Sequence, residues 1–516
     1  MIPNLLLPAN SANQDAEVAN LQVLAADLWS SDEEIAREKR VALCRDYLEG
    51  DHVVYLSKRL RRFLNLHESE IVLRLNVFRT VVAAVAERIV LEGAKPSKIG
   101  ATATADSGET SPNTDPVAFV LDLIDRNNIL IAANSIHERA TNEGEFFLIP
   151  DVDPDGKSIR LYPHARYVAE EFGGDGFGCR VVYANDDPSQ EVLFGAKRWA
   201  EVIDQKRTIQ RMNLYFPDRI EKYFAESGRW NPYIEEGSDS HVIDWTDANG
   251  DPLGVAVIPF NTPELRPEAW EAIPIQDSIN KMLADVLASG DSSALRIFRA
   301  FGFRPTSDGK DLSEDGSNEL TIEPGQIIGT ASRSPSEASF DALEAGDLNP
   351  LIDALSNLIL FVAMVTDTPV QRFLITKAIA AEGTQKEGRD PLVRKTKRRI
   401  ANFVQSWRQV FRMSARLAKL NGFIEFDPEL AVDPIFADPD ARTMIELLDE
   451  LKAKREALKI PLEILWEEAG YSPDMIERMK KSPEYLATLA LANLGLNERT
   501  GSTNDSSTGS SNSSNV

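Results

Sequence analysis

The apolar residues of this 516-residue chain change period in blocks. Up to about residue 143 they recur mainly at helical spacing; from Gly144 to about Phe260 they form short runs between turn residues; from Pro274 onward helical spacing returns. A chain that gathers its strands into one block does not build the alternating βαβ units of a parallel sheet, so the expected class is α+β, with an antiparallel sheet flanked by helices. One hydrophobic core rarely serves a chain this long, and about three structural regions are expected.

Val41, Cys44 and Leu48 share one helical face, and Val77, Val81, Val82, Val85 and Ile89 another, which places helices within about Asp32–Gly93. Lys95–Pro116, rich in Ala, Thr, Ser, Gly and Pro, reads as an exposed loop, and helical character resumes from Pro116 to Thr141. The expected strands are Phe146–Ile149, Ile159–Tyr162, Cys179–Tyr183, Arg219–Phe224, His241–Trp245 and Val255–Phe260. Asp153-Pro-Asp-Gly and Asp247-Ala-Asn-Gly are turn sequences, since Asn and Gly tolerate positive φ.

A helix is expected over Pro274–Phe298, with Ile275, Ile279, Met282, Leu283, Val286 and Leu287 on one stripe, and another over Leu348–Val365, with Leu351, Ile352, Leu355, Leu358, Ile359 and Val362 on one face. The two can pair side by side. Between them Arg304–Phe340, loaded with Asp, Glu, Gly, Ser and Pro around the runs Glu319–Ile322 and Gln326–Ile328, reads as a small inserted module. Thr366-Asp-Thr-Pro-Val-Gln-Arg then breaks regularity, because proline lacks the amide and restrains its predecessor. Asp390 as N-cap and Pro391 at the first turn start a long helix ending at Asn421-Gly422, a rod about 45 Å long. Helices over Asp440–Lys459, Leu462–Gly470 and Asp474–Lys481 follow, and Thr500–Val516, almost entirely Ser, Thr, Asn and Gly, is expected to be disordered.

Apolar residues at 43% and charged residues at 27% match an ordinary globular body. Cys44 and Cys179, far apart and without a histidine cluster nearby, suit buried thiols of a reducing compartment better than zinc or a disulfide. The N-terminus lacks the basic start and apolar stretch of a secretory signal, and the longest apolar run, Leu358–Val365, is too short to span a bilayer. A net charge of −25 is the wrong sign for a protein that holds nucleic acid through its phosphates, yet it suits a conduit, whose negative wall lets a duplex slide without sticking. Between Thr384 and Gly422 eleven Lys or Arg face two acids, a local +9. Arg394, Lys395, Lys397, Arg398 and Arg399 are thus candidates to meet DNA or an acidic neighbour; the blander role, neutralising acidic surface of the same or an adjacent subunit, is the favoured one.

Catalytic and ligand motifs fail one by one. Asp151-Val-Asp-Pro-Asp-Gly156 begins like a calcium loop, but its twelfth position is Tyr162 and its flanks are strands, so a hairpin turn is the better reading. Gly156-Lys157-Ser158 lacks the earlier glycine of a P-loop, and Gly173–Gly178 lacks dinucleotide spacing. The histidines at 52, 67, 137, 164 and 241 form no i, i+4 pair, and carboxylates are too many for one acid–base pair to stand out. No cofactor or metal is expected.

The order of parts is more specific than any motif. Tyr47-Leu-Glu-Gly50-Asp-His52, Asn76-Val-Phe-Arg-Thr-Val-Val, Arg88 and Gly93, Asn142-Glu-Gly144-Glu-Phe-Phe147, Gly254-Val-Ala-Val-Ile-Pro259-Phe-Asn261 and Ile275-Gln276-Asp277-Ser-Ile-Asn280, in that order over about residues 35–480, resemble the siphophage-type portal family of tailed bacteriophages. The family's Ser-Gly entry into its long helix is replaced here by Glu382-Gly383-Thr-Gln-Lys.

The resemblance implies an N-terminal arm (1–31), a wing of helices then sheet (32–261), a first stem helix (262–298), a clip (299–347), a second stem helix (348–365), a tunnel loop (366–384), a long wing helix (385–422), a helical crown (423–499) and a disordered tail (500–516). It implies a ring, usually a dodecamer, at one capsid vertex, with Asp367, Gln371, Arg372 and Lys377 nearest the duplex. The implied partners are double-stranded DNA without sequence specificity, the terminase large subunit, major capsid and scaffolding proteins, and a head-tail adaptor; the implied location is the virion, with the host cytoplasm before assembly. Neither enzymatic activity nor a membrane is implied. The rival readings are a different phage structural protein, such as a minor head or adaptor subunit, and a soluble carboxylate-based enzyme.

Overall fold

A computed structural model of the chain describes residues 14–486, apart from 57, 59–60, 62–73, 97–112, 168–177, 205–206, 227, 236, 295–297, 302–305, 308–309, 312–338, 343–346, 374–381, 430–431, 441–443, 470, 472 and 484. It forms two compact units, Met1–Pro439 and Asp440–Val516. The expected runs Glu319–Ile322 and Gln326–Ile328 and the tail Thr500–Val516 lie outside the described residues.

The first unit opens with helices α1 (Gln14–Trp29) and α2 (Asp32–Glu49). Ser31 accepts the Glu34 amide at 3.3 Å, three acids sit in the first turn of α2, where the helix dipole favours them, and Gly50 at φ 86° ends it. Asn76 caps α3 (Val77–Ala86), and strand β1 (Leu91–Pro96) follows. Asp115 and Pro116 start α4 (Pro116–Arg126), and a left-handed Asn128 separates it from α5 (Ile129–Glu143).

The strand block comprises β2 (Glu145–Val152), β3 (Ile159–Ala165), β4 (Gly178–Tyr183), β5 (Val192–Asp204), β6 (Arg207–Tyr215), β7 (Arg219–Glu226), β8 (Arg229–Pro232), β9 (Val242–Asp244) and β10 (Ile258–Asn261). Then come α6 (Ile273–Ala294), β11 (Phe298–Phe301), β12 (Thr306–Ser307), β13 (Lys310–Asp311), β14 (Ser339–Ala342), α7 (Asn349–Val365), α8 (Glu382–Leu420) and β15 (Val432–Phe436). The longer strands fall in one block, with short ones among the helices, and the fold is α+β.

The block makes two antiparallel sheets, β10-β2-β3 and β4-β5-β6-β7-β8, with β9 beside β7. Phe147 and Ile149 of the first share an apolar cluster with Cys179, Val181, Tyr215 and Ile220 of the second. On its other face the larger sheet buries Phe194, Met212, Leu214 and Trp230 against Leu21, Leu24 and Leu28 of α1. Helix α8 lays Phe403, Trp407, Val410 and Phe411, all fully buried, into a cluster with Phe260 of β10 and Ile136 of α5. The helix pair α6–α7 roots Ile279, Ile359 and Val362 among Tyr47, Phe78 and Val82 of α2 and α3. Asp153-Pro-Asp-Gly is the β2–β3 turn, with Gly156 at φ 65° and its amide donating to the Asp153 carbonyl at 2.7 Å.

Several expectations need correction. Strands β5 and β6, the longest of their sheet, are absent from the expected set because their charges hide the alternation; in place, those charges find partners across the ladder, Arg211 in an ion pair with Glu201 and Arg198 in a hydrogen bond to Gln210, both at 2.6 Å. Leu91–Gly93 are strand and not helix, because β1 pairs with β15 far along the chain. The long helix begins at Glu382, not at Asp390, so it includes residues 382–384 and passes through Pro391. The proline forfeits the bond its amide would give the Glu387 carbonyl and crowds that carbonyl with its ring, a cost of about 3 kcal/mol that the burial of Leu392, Phe403 and Trp407 on the same helix outweighs.

In the second unit α9 (Met444–Leu458), α10 (Leu462–Glu468) and α11 (Pro473–Lys480) bury Leu451, Leu465 and Ile476. Lys454 joins Glu450 (3.0 Å) and Glu468, and Trp466 stands against Tyr485.

Candidate channel segment and its anchoring

Helix α7 ends in a compact stop. The Thr366 hydroxyl donates to the Val362 carbonyl (2.7 Å) and lies 2.9 Å from the Thr368 hydroxyl, while the Thr368 amide donates to the Ala363 carbonyl (3.0 Å). Both threonines are 3% exposed. Asp367 takes the left-handed conformation (φ 51°), which Asp tolerates better than most residues, and faces solvent. Pro369 leads into a single turn, Val370–Arg372, where Gln371 and Arg372 are exposed and Arg372 Nη1 lies 3.1 Å from Glu87. Asp367, Gln371 and Arg372 therefore share one short exposed segment; Lys377 lies outside the described residues.

That segment is tied to α8. Lys395 Nζ donates to the Thr366 carbonyl (2.8 Å) and pairs with Glu268 (2.5 Å), and Arg399 also pairs with Glu268 (2.7 Å). Elsewhere on the basic helix Arg394 meets Asp390 (3.2 Å), Lys397 stands 3.8 Å from Asp438, Arg408 meets Asp433 (2.7 Å), and Arg412 and Arg416 share Glu429 (3.3 and 2.5 Å). Arg398 is exposed and has no ion pair among the described residues. The helix thus directs most of its positive charge at acids of its own unit.

The first turns of α6, which root beside the end of α7, are fixed where three of the resemblance segments meet. Gln276 of α6, fully buried, accepts the Val77 and Phe78 amides (2.9 and 3.1 Å) and donates to the Leu75 carbonyl (2.6 Å), so it serves the first turn of α3 as a cap. One turn on, Asn280 Oδ1 accepts the Leu75 amide (3.1 Å) and its Nδ2 lies 2.9 Å from His52 Nε2. His52 stacks on Tyr47 with ring centroids 4.2 Å apart, and the Tyr47 hydroxyl donates to Asp277. Burial, with Arg74 nearby, pulls the His52 pKa below its ordinary value. Sequence reasoning missed Gln276 and Asn280 as anchors; the available signal was two amides one turn apart beside an otherwise apolar stripe.

A third joint holds α2 and α5 to the sheets. Arg45 grips Glu143 with two bonds (2.8 and 2.7 Å). Arg166, 3% exposed, holds Glu34 (2.7 Å) and Glu145 (2.5 Å). Burial works against ionisation of Glu34, but Arg166 and Arg180 keep its carboxyl below the ordinary value. These ionisable groups are spent on one another. Among the described residues no three His, Cys, Asp or Glu side chains stand together as a metal site, and no helix is long and apolar enough to cross a membrane.

Helix α7 leaves large apolar side chains in solvent: Ile352 is 46% exposed, Phe361 52%, Met364 73% and Val365 51%. Ile352 and Phe361 are nine positions, about two and a half turns, apart, so they face opposite sides of the helix. Ile352 lies on the same stripe as the buried Ile359 and Ala363, so the separate apolar face left exposed on α7 is that of Phe361, Met364 and Val365. In comparison with known proteins, the family model described as phage portal protein, SPP1 Gp6-like, matches residues 29–486. No curated protein matches the chain.

Proposed function

Because the chain belongs to the SPP1 Gp6-like family of phage portal proteins, we propose that it is a structural ring subunit at one capsid vertex. Through this ring double-stranded DNA is packaged by a terminase motor, retained and ejected, and onto it head-tail adaptors dock. The observation that carries the reading is the apolar face of Phe361, Met364 and Val365 that α7 leaves exposed. A head-to-tail ring needs two different complementary patches on each subunit, and exposed apolar surface on this scale calls for a cover. Neighbouring helix pairs supply that cover in a closed ring, usually of twelve copies.

In this proposal residues 32–261 and 382–422 form the wing, α6 and α7 the stem, 299–347 the clip, 366–381 the channel loop and 423–499 the crown. Asp367, Gln371 and Arg372 stand nearest the duplex, with Lys377 further along the loop. The acidic excess of the chain keeps the conduit from holding its cargo. A nuclease-protection assay tests the function. Capsid shells assembled with this chain and supplied with motor and ATP are expected to protect DNA, whereas shells without it protect none; equal protection in both overturns the proposal.

A further inference from the structure

The sequence favours a neutralising role for Lys395 and Arg399, and their geometry adds a second role to it. The Glu268 side chain, 4% exposed, receives both of them, at 2.5 and 2.7 Å. Their own side chains are only 16% and 13% exposed. The Glu268 amide donates to the Thr141 carbonyl at 3.0 Å, which fixes this carboxylate to the end of α5. Lys395 uses a further proton on the Thr366 carbonyl, the C-cap of α7, where the dipole of that helix presents its negative end. Behind the carbonyl the Thr366–Thr368 hydroxyls and the Thr368 amide lock the stop.

We propose that Glu268 and Lys395, steadied by Arg399, form a latch that fixes the last turn of α7 to α8 and so sets where the following loop starts. Lys395 is a positioning residue: it touches no cargo and acts through Thr366. The latch is one-sided, because a single carboxylate holds two cations and only Lys395 reaches the loop. Loss of Lys395 releases the loop while leaving Arg399 to balance Glu268. The meaning of the loop's position for DNA rests on the portal reading; the latch itself is intramolecular.

The test is amide hydrogen exchange on the full-length protein, comparing wild type with Lys395→Met, Lys395→Arg and Glu268→Gln. The amides of Thr366, Thr368, Arg372 and Phe373 are hydrogen-bonded in the stop and the turn after it. Lys395→Met is expected to speed their exchange about tenfold or more while the amides of 403–411 in α8 keep their protection. Lys395→Arg, which keeps a donor and the charge, is expected to restore slow exchange, and Glu268→Gln to fall between. Unchanged exchange at 366–373 in Lys395→Met overturns the latch, as does a rise shared equally by 403–411. A wild-type chain that forms no ring would sink the portal reading and leave this comparison intact.

Discussion

His137 shows how completely single side chains are committed to structure. It is 0% exposed, its Nδ1 donates to the Ile89 carbonyl (3.0 Å), and its Nε2 accepts the Trp407 indole N–H (3.0 Å), so both ring nitrogens are used by the neutral form. Burial pulls its pKa down to about 4. With the folded value below the unfolded one, the unfolded chain binds the extra proton between about pH 6.5 and 4, so stability is full above that window and falls as pH drops through it, by on the order of 3 kcal/mol for this group. His52 and His164 are shifted the same way by burial. Urea midpoints followed from pH 7.5 to 4 should therefore decline, and His137→Gln should remove about one proton from the slope; an unaltered slope in that variant contradicts the assignment. Gly144 is constrained by space as well as conformation. Its φ is 90°, and a Cβ there would stand 2.7 Å from the Leu265 carbonyl oxygen, so Gly144→Ala is expected to lower unfolding free energy by about 2–4 kcal/mol. A loss below about 0.5 kcal/mol in denaturant titration would show that the α5–β2 corner yields.

Between elements, the joints matter more than the lengths of helices. Gln276→Ala would strand the Val77 and Phe78 amides and the Leu75 carbonyl at a buried helix start, a cost on the order of 3 kcal/mol, and would loosen α6 from α3. Exchange at Val77–Arg79 should rise with the loss of stability; protected amides there would mean that water or another group replaces the side chain. At this scale the sequence was readable where one face decides an element: Ile279 in α6, Ile359 in α7, and Phe403 and Trp407 in α8 sit on the stripes that bury them. It was unreadable where pairing is remote. Nothing near Leu91 announces Val432–Phe436 as its strand partner, and the charges of β5 and β6 make sense only beside one another. Asp390-Pro391 is a sound local start signal, yet a helix with that much buried surface continues through it. The site divided the same way: the basic helix was visible as charge, whereas Glu268, which disposes of two of its cations, carries no local mark.

Among the described residues the chain leaves large apolar side chains exposed at several places, α7 among them. The strand block's two sheets, α1 and α8 close their cores internally, while Phe361, Met364 and Val365 of α7 stand exposed together. The proposed ring would cover this face, and it fits the family to which the chain belongs and the acidic excess of the sequence. The most direct measurement is the mass of the purified particle, with images of the same sample. Twelve chains of 57.2 kDa predict a particle of about 690 kDa with an axial hole wide enough for a duplex, reduced to single subunits by Met364→Lys without loss of helical signal. A wild-type chain that remains at 57.2 kDa at the highest concentration, or a ring indifferent to that substitution, contradicts the account.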